Sequence, residues 1–158
     1  MYEDVFKREC LKNFAVTEYS SGRVPDFLPN NYGWPIVSHR FVDAILEIGD
    51  KTGVALTPVE DLIPDFCPVA LRSYTLLSTA SVFDCLKLDS PELKWFDSSR
   101  KVVRSYTQLE LDRTKISPNA HFFGVSRVAC VFVVSGAVKN SLLSKNLTGF
   151  TFSECKII

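Results

Sequence analysis

Histidine and cysteine are the side chains of this sequence most able to do acid–base or nucleophilic chemistry, and the two histidines have little local support. His39 falls at the first position of a predicted helix, and His121 opens a strand after the turn at Pro118 and Asn119. Neither has another histidine or a paired carboxylate three or four residues away, which is the spacing of a local metal site. A Ser–His or Cys–His pair assembled in space, for example His121 with Cys130, remains open. We favour structural histidines and predict neither a catalytic residue nor a metal site.

The cysteines indicate reduced thiols. An odd number of widely spaced cysteines without a C-x-x-C pair suits a cytoplasmic protein better than a disulfide framework or a zinc site. No glycine-rich phosphate loop of the G-x-x-x-x-G-K-S/T or G-x-G-x-x-G kind is present, so no cofactor is predicted. The N-terminus lacks the apolar stretch of a secretory signal, and no run reaches the length of a membrane span. We therefore expect a cytoplasmic protein without membrane contact, with reduced Cys10, Cys67, Cys85, Cys130 and Cys155.

Acidic residues gather in a proline-bounded turn over 60–68 and again between Asp84 and Asp97. Acidic turns usually just face water, and that interpretation is favoured. Among functional interpretations, a surface for a basic partner is favoured over a general acid–base pair, because no carboxylate has a neighbour at a spacing that would poise it. Trp95, in the polar loop 89–100, could anchor a partner or equally fold over the core. The candidate binding residues are Glu60, Asp61, Asp65, Asp89, Glu92, Trp95 and Asp97, with Gly22–Tyr32 as a further candidate region.

Length and charge limit the class of protein. A chain of 158 residues is long enough for one domain, here 1–158, whose core is stable without disulfide or metal cross-links. Its 18 basic residues balance 18 acidic ones. That balance argues against a nucleic-acid binder, whose affinity for phosphates requires a basic excess or stripe.

Two similar strand–helix–strand units, about 36–59 and 128–155, are the elements that must position these side chains. In each, an apolar strand ends at a serine, an apolar helix follows, and a glycine precedes an alternating strand. Ser38 and Ser135 stand where helix N-caps belong, and Gly53 and Gly149 stand where a left-handed residue closes a helix. Both serines are therefore interpreted as caps rather than nucleophiles.

The segments between the units alternate in the manner of antiparallel strands, and the run Val128–Val134, apolar on both parities, predicts a central strand buried on two sides. We therefore predict an α+β fold, with a mixed sheet, helices on at least one face, and the two units flanking antiparallel strands. Residues 1–35 are rich in proline, glycine and asparagine and are expected to form an irregular N-terminal segment packed on the body.

The order and spacing of these motifs resemble a known family. The first half contributes Trp34-Pro35-Ile36-Val37-Ser38, Gly53-Val54-x-Leu56-x-Pro58-Val59, Tyr74-x-Leu76-Leu77 and Phe83-Asp84-x-Leu86. The second half contributes His121-x-Phe123, Val134-Ser135 and Leu147-Thr148-Gly149-Phe150-x-Phe152. Together they resemble the Imm-eleven family of immunity proteins from bacterial polymorphic toxin systems, first catalogued as a bacterial domain of unknown function. The resemblance covers about 34–158 and makes 36–158 an immunity-protein-like core.

The resemblance implies a small cytoplasmic antitoxin, made beside a toxin gene, that neutralises the toxin by binding it, one to one, without catalysis. It supplies no catalytic residues. Two alternatives stay open from the residues alone: a small hydrolase that reverses a toxin-made modification, and a homo-oligomeric structural or interaction protein that uses the exposed edge of its sheet. Direct binding of nucleic acid is not expected.

Overall fold

The structure is a computed structural model that describes residues 24–30, 34–48, 54–62, 71–79, 81–129 and 131–158. These residues form three α-helices and several small sheets of short strands, which confirms the predicted α+β class. The helices are α1 (His39–Leu46), α2 (Val59–Leu62) and α3 (Gly136–Ser144), with a 3-10 turn at Arg113–Lys115. The strands are β1 (Phe27–Leu28), β2 (Ile36–Ser38), β3 (Val54–Pro58), β4 (Tyr74–Thr79), β5 (Val82–Phe83), β6 (Leu93–Trp95), β7 (Val103–Tyr106), β8 (Glu110–Leu111), β9 (Phe122–Val125), β10 (Phe132–Val134) and β11 (Lys156–Ile157).

The first strand–helix–strand unit lies in a four-stranded antiparallel sheet of order β1-β2-β4-β3. Strand β4 pairs antiparallel with both β2 and β3, so β2 and β3 run parallel to each other with β4 between them. Because β3 forms the edge of this sheet, Pro58 can end the strand without removing a ladder hydrogen bond from a central position. Residues 24–30, part of the segment expected to be irregular, contribute β1 to the opposite edge.

A mixed sheet of order β10-β9-β5 is present, as predicted, but its central strand is not the predicted one. Strand β9 pairs antiparallel with β10 and parallel with β5, and all four of its residues are buried. The prediction that the Val128–Val134 run forms the central strand is wrong, because among the described strands β10 lies at the edge of the sheet, and its three residues are half-buried. Two further pairs, β6 with β7 and β8 with β11, complete the strands.

The mixed sheet separates two hydrophobic clusters. Phe122 of β9 and Leu77 of β4 face the first cluster, which includes the buried faces of α1 and α3. Phe123 faces the second cluster, which includes Leu93 and Val103 of the β6–β7 pair. A third, smaller cluster lies under α2 and consists of Leu28, Ile36, Val59, Leu71 and Tyr74.

Both serine caps are confirmed, whereas the closing residue of α3 is not the predicted one. Ser38 accepts the N–H of Phe41 at the start of α1, and Ser135 accepts the N–H of Val138 at the start of α3. The C-terminus of α3 is closed by Asn146 in the left-handed conformation, at φ 52°. Its N–H donates to Leu143 O, and that of Leu147 donates to Leu142 O, the Schellman arrangement. Gly53 lies outside the described residues.

Gly149 has a different role from the predicted helix closure. Its φ is +97°, and a Cβ built on it would lie 2.1 Å from the carbonyl oxygen of Phe27. The neighbouring Thr148 accepts the Phe27 N–H at 2.9 Å, so the chain here passes directly against β1. Only glycine allows both this φ and this approach.

The second predicted unit is not observed as such. Residues 149–155 form no strand ladder, and pairing begins only at Lys156, where β11 runs parallel to β8 in a separate two-stranded pair. Burial alternates only over residues 150–152, where half-buried Phe150 and Phe152 flank exposed Thr151, because Ser153 and Glu154 are both exposed. The alternating sequence pattern therefore corresponds to a segment that packs Phe150 and Phe152 on the first cluster rather than to a strand of the mixed sheet.

Candidate binding surface

Glu60 and Asp61 lie on α2, a single helical turn whose Val59 is buried in the third cluster. Both carboxylates are exposed, and neither forms an ion pair or hydrogen bond with any residue the structure describes. They occupy the first turn of the helix, where negative charge is favoured by the backbone N–H groups. This turn therefore presents two adjacent free carboxylates to solvent. Asp65 falls outside the described residues.

The remaining candidates lie together on the hairpin of β6 and β7 and the turn before it. Sequence reasoning expected a polar loop over 89–100, but this stretch contains β6, whose Leu93 is buried opposite Tyr106. Asp89 is exposed in the turn that precedes it. Glu92 is half-buried and accepts the hydroxyl hydrogen of Thr107 across the hairpin. Asp97 accepts from both the N–H and the hydroxyl of Ser99, so its carboxylate folds the hairpin turn.

Trp95 and its neighbour Phe96 differ in exposure, and of the two positions left open for Trp95 the structure shows the one over the core. Trp95 is half-buried and packs on the second cluster. Phe96 is 68% exposed, the highest value among the large apolar residues in the described part of the chain. Its N–H donates to Val102 O at 3.2 Å, which holds it opposite another exposed apolar side chain. Side chains alternate along a strand, and because Leu93 is buried, Trp95 faces the core and Phe96 faces solvent. The register shift skips Arg104 on β7 and leaves the alternation along β6 unchanged. Sequence reasoning did not single out Phe96 because residues 89–100 were expected to form a polar loop, in which no such alternation holds.

The charges of the hairpin do not form an acidic surface. Over residues 89–104 three acidic side chains stand against four basic ones, Lys94, Arg100, Lys101 and Arg104. All four basic residues are exposed. An acidic excess is therefore present at α2, while the hairpin combines mixed charge with an exposed aromatic side chain.

The two groups of candidates belong to different parts of the fold. The α2 turn packs on β3, β4 and the third cluster, whereas the hairpin packs on the second cluster. No described element carries residues from both groups. They can form one surface only if a partner is large enough to span them.

A histidine and a serine do meet, at the start of α3. His121 Nδ1 lies 2.9 Å from Ser135 Oγ, and the N–H of Ser135 donates to His121 O at 2.9 Å. Cap serine Ser38 has an equivalent second partner, since its Oγ donates to Asp26 Oδ1 at 2.7 Å. Because the same double arrangement forms around a serine that has no histidine, the Ser135–His121 contact is accounted for as a braced helix cap.

The described thiols are poorly placed for nucleophilic chemistry. Cys85 is fully buried in the second cluster, and burial raises the pKa of its thiol. Cys155 is half-buried, and burial likewise raises its thiol pKa. A nucleophilic cysteine requires the opposite shift, towards the thiolate. Cys130, named as a possible partner of His121, lies outside the described residues.

Over the described ranges no three His, Cys, Asp or Glu side chains lie close enough together to hold a metal ion. Within the same ranges, none of the helices has the length and apolar character needed to cross a membrane.

Comparison with known protein families gives one match over almost the whole chain. The model described as "Immunity protein family (Imm11)" matches residues 10–157. The match begins well before Trp34, where the motif resemblance starts, and so includes most of the N-terminal segment. A comparison with curated proteins found no match.

Proposed function

Because the chain belongs to the Imm11 immunity protein family and is thus an immunity protein of a toxin system, we propose that it neutralises its cognate toxin by stoichiometric binding in the cytoplasm. A cognate toxin is the partner that membership implies. The finer statement, one molecule of this protein blocking one toxin domain, is supported by the character of its polar residues. Within the described ranges, His121 and Ser135 are engaged at the cap of α3, and burial raises the pKa of the Cys85 and Cys155 thiols.

The proposed contact surface consists of the acidic turn and the hairpin. Glu60 and Asp61 offer free carboxylates to a basic toxin, and such charge complementarity accelerates association and selects the partner. Phe96 adds the exposed aromatic group that interface hot spots favour. Asp97 and Glu92 contribute mainly by shaping the hairpin, since their carboxylates already hold Ser99 and Thr107. The complete proposed set remains Glu60, Asp61, Asp65, Asp89, Glu92, Trp95 and Asp97, with Phe96 added.

One observation favours a second candidate function. The 2.9 Å contact between His121 Nδ1 and Ser135 Oγ is within the range of a nucleophile–base pair, as a hydrolase reversing a toxin-made modification would require. In a triad a third group orients the histidine. His121 makes no side-chain contact with a carboxylate of the described residues. The hydroxyl also caps α3, so we rank this function second.

Co-expression with the toxin domain encoded beside this gene, rendered inactive by mutation, tests the proposal. Stoichiometric binding predicts a stable one-to-one complex after two purification steps. A hydrolase predicts no stable complex, and instead repair of modified target by catalytic amounts of this protein.

A further inference from the structure

Strand β10 has one backbone edge that no other described strand pairs with. In an antiparallel pair, residues alternate between facing the partner strand and facing away from it. Gly124 of β9 donates its N–H to Ser81 O, which lies on the β5 side and so away from β10. Phe132 is paired with Gly124, and its own N–H and C=O groups therefore point away from β9, on the outer side of β10. The bond from Ser135 N–H to His121 O fixes the same parity, which places the Val134 peptide groups outward as well.

Nothing in the described part of the chain pairs with that edge. The N–H groups of Phe132 and Val134 make no hydrogen bond with any described residue, whereas Val133, between them, faces Phe123 across the ladder. Edge strands of this kind pair readily with another chain unless they are covered.

A groove runs along this edge. It has a volume of about 740 Å³, and its floor and walls come from residues 106–109, β10, Lys139 and residues 151–155. The opposite wall, Thr151–Glu154, lies outside the strand ladders of the described residues. An inserted strand would therefore pair with β10 on one side and lie beside this segment on the other.

An apolar pocket of about 290 Å³ adjoins the groove and shares four lining residues with it, Phe132, Val134, Thr151 and Phe152. Aromatic rings dominate its wall, and Phe122 stacks on Phe132 at 5.0 Å between ring centroids. The side chains of Phe132 and Val134 face this pocket side of the mixed sheet, while Val133 faces the second cluster. A strand added to β10 would continue the same alternation, so every second side chain would point towards the pocket.

We propose that β10 is a docking edge to which an extended segment of the cognate toxin adds as a further strand, with one large apolar side chain anchored in the phenylalanine-lined pocket. The proposal rests on the proposed function and identifies a contact that the acidic turn and the hairpin do not include. Strand addition draws affinity from backbone hydrogen bonds and specificity from pockets for alternate side chains, and both elements are present here.

The positive charge of Lys139 at the groove favours a partner segment that carries a negative charge. Lys139 lies 6.0 Å above the centre of the Phe152 ring and lines the groove. Its ammonium group forms no ion pair with a described residue. The segment that fits this site has an apolar residue flanked by a carboxylate, which would pair with Lys139 at the mouth of the pocket.

Residue-resolved amide hydrogen exchange provides the test, on the full chain free and in complex with the inactivated toxin domain encoded beside its gene. In the free protein the Phe132 and Val134 amides are expected to exchange at least tenfold faster than that of Val133. In the complex both are expected to slow at least tenfold, with Val133 as the internal control. A complex that leaves both amides fast overturns the docking edge but not the immunity function. Failure to form any complex overturns both.

Two matched tryptophan variants test whether a bulky side chain in the groove blocks toxin binding. Ser153 is exposed and lines the groove, while Ser117 is exposed and does not. Ser153→Trp should weaken the complex at least tenfold, whereas Ser117→Trp should leave it unchanged. Equal affinity in the two variants overturns the proposal. So does concentration-dependent protection of the Phe132 and Val134 amides in the free protein, together with a dimer mass in light scattering, because a second copy would then be the occupant.

Discussion

Ser135 Oγ lies 2.9 Å from His121 Nδ1 while it accepts the N–H of Val138 at 3.4 Å, so one hydroxyl joins the start of β9 to the start of α3. A binding protein and a hydrolase make opposite predictions for this pair. If the contact braces a cap, His121→Ala should cost about 1 kcal/mol of unfolding free energy, a typical net hydrogen-bond contribution. It should leave toxin neutralisation intact.

The control is Ser135→Ala, which should cost about 1 kcal/mol through the lost cap. Unfolding in urea and growth of cells that express the toxin measure the two effects separately. Loss of protection in both variants, with folding preserved, would support the hydrolase instead.

Asp26 contacts the cap serine Ser38 of α1 as His121 contacts the cap serine Ser135 of α3. Its buried carboxylate joins the segment before β1 to Ser38 and to Thr148. One oxygen accepts from Ser38 Oγ and the other from the N–H of Thr148 at 3.1 Å. Asp26→Ala leaves these donors without an acceptor, and hydrogen bonds to a charged group are among the stronger ones. We expect a loss of about 3 kcal/mol in urea unfolding. Asp43→Ala, an exposed position on α1, is the control and should change stability by less than about 0.5 kcal/mol.

The close approach of Gly149 to β1 gives a matched glycine pair. Gly149→Ala forces a Cβ to within 2.1 Å of Phe27 O at a φ of +97°. We therefore expect the free energy of unfolding to fall by about 3 kcal/mol or more, the upper end of the cost of backbone strain. Gly136→Ala, at the first residue of α3 with no atom within 4 Å of the added Cβ, should be neutral or stabilising by about 0.5 kcal/mol. Thermal unfolding of both variants checks the difference. Similar melting temperatures would contradict the packing described for Gly149.

Glu110 gives the protein a specific acid sensitivity. Its Oε1 accepts a hydrogen bond from Lys156 Nζ at 2.8 Å, and its Oε2 forms an ion pair with Lys87 Nζ at 3.3 Å. The hydrogen bond from Lys156, with the nearby charge of Lys87, holds the carboxyl pKa below its ordinary value of 4.5. A lowered folded-state pKa contributes stability that is present above 4.5 and is lost as the pH falls through the folded-state value. Melting temperature should therefore fall as pH decreases below 4.5. Glu110→Gln should lower the melting temperature at pH 7 and flatten this acid dependence, and an unchanged slope would contradict the assignment.

Phe96 and the acidic turn should be separable contributions to toxin binding. Phe96→Ala is expected to weaken the complex by at least tenfold, with unfolding free energy changed by less than about 0.5 kcal/mol because the ring is mostly exposed. Leu143→Ala, at an apolar residue on α3 that is 51% exposed, is the matched control and should leave affinity unchanged. Equal losses in the two variants would show that Phe96 has no specific role.

Reversal of Glu60 and Asp61 to lysine should slow association and reduce its dependence on salt, since exposed charges act mainly on the encounter rate. Stopped-flow association at two ionic strengths measures both. Unchanged rates would remove the acidic turn from the proposed surface.

The features predictable from sequence were those set by near neighbours along the chain. Ser38 and Ser135 could be recognised as caps because a cap depends on the residue and the next three backbone groups. The strongest apolar run did not give the central strand, because the parallel pairing of β5 with β9 joins residues about forty positions apart. No local pattern contains that information.

At the hairpin, the sequence left two positions open for Trp95, and the structure shows the one over the core. The alternation that buries Leu93 continues along β6 and leaves Phe96 exposed, which a predicted loop over 89–100 does not contain. The edge position of β10 among the described strands depends on which strands pair elsewhere. Glu60 and Asp61, in contrast, were identified correctly as exposed acidic residues, since a short polar turn bounded by prolines has few other options.

The stoichiometry of neutralisation tests the central proposal most directly. Active toxin domain is titrated with this protein, and residual toxin activity is measured alongside the mass of the complex by light scattering. Stoichiometric binding predicts that activity falls linearly to zero at an equimolar ratio, where a single one-to-one complex is found. Full protection at a small fraction of the toxin concentration, with no complex at any ratio, would contradict it.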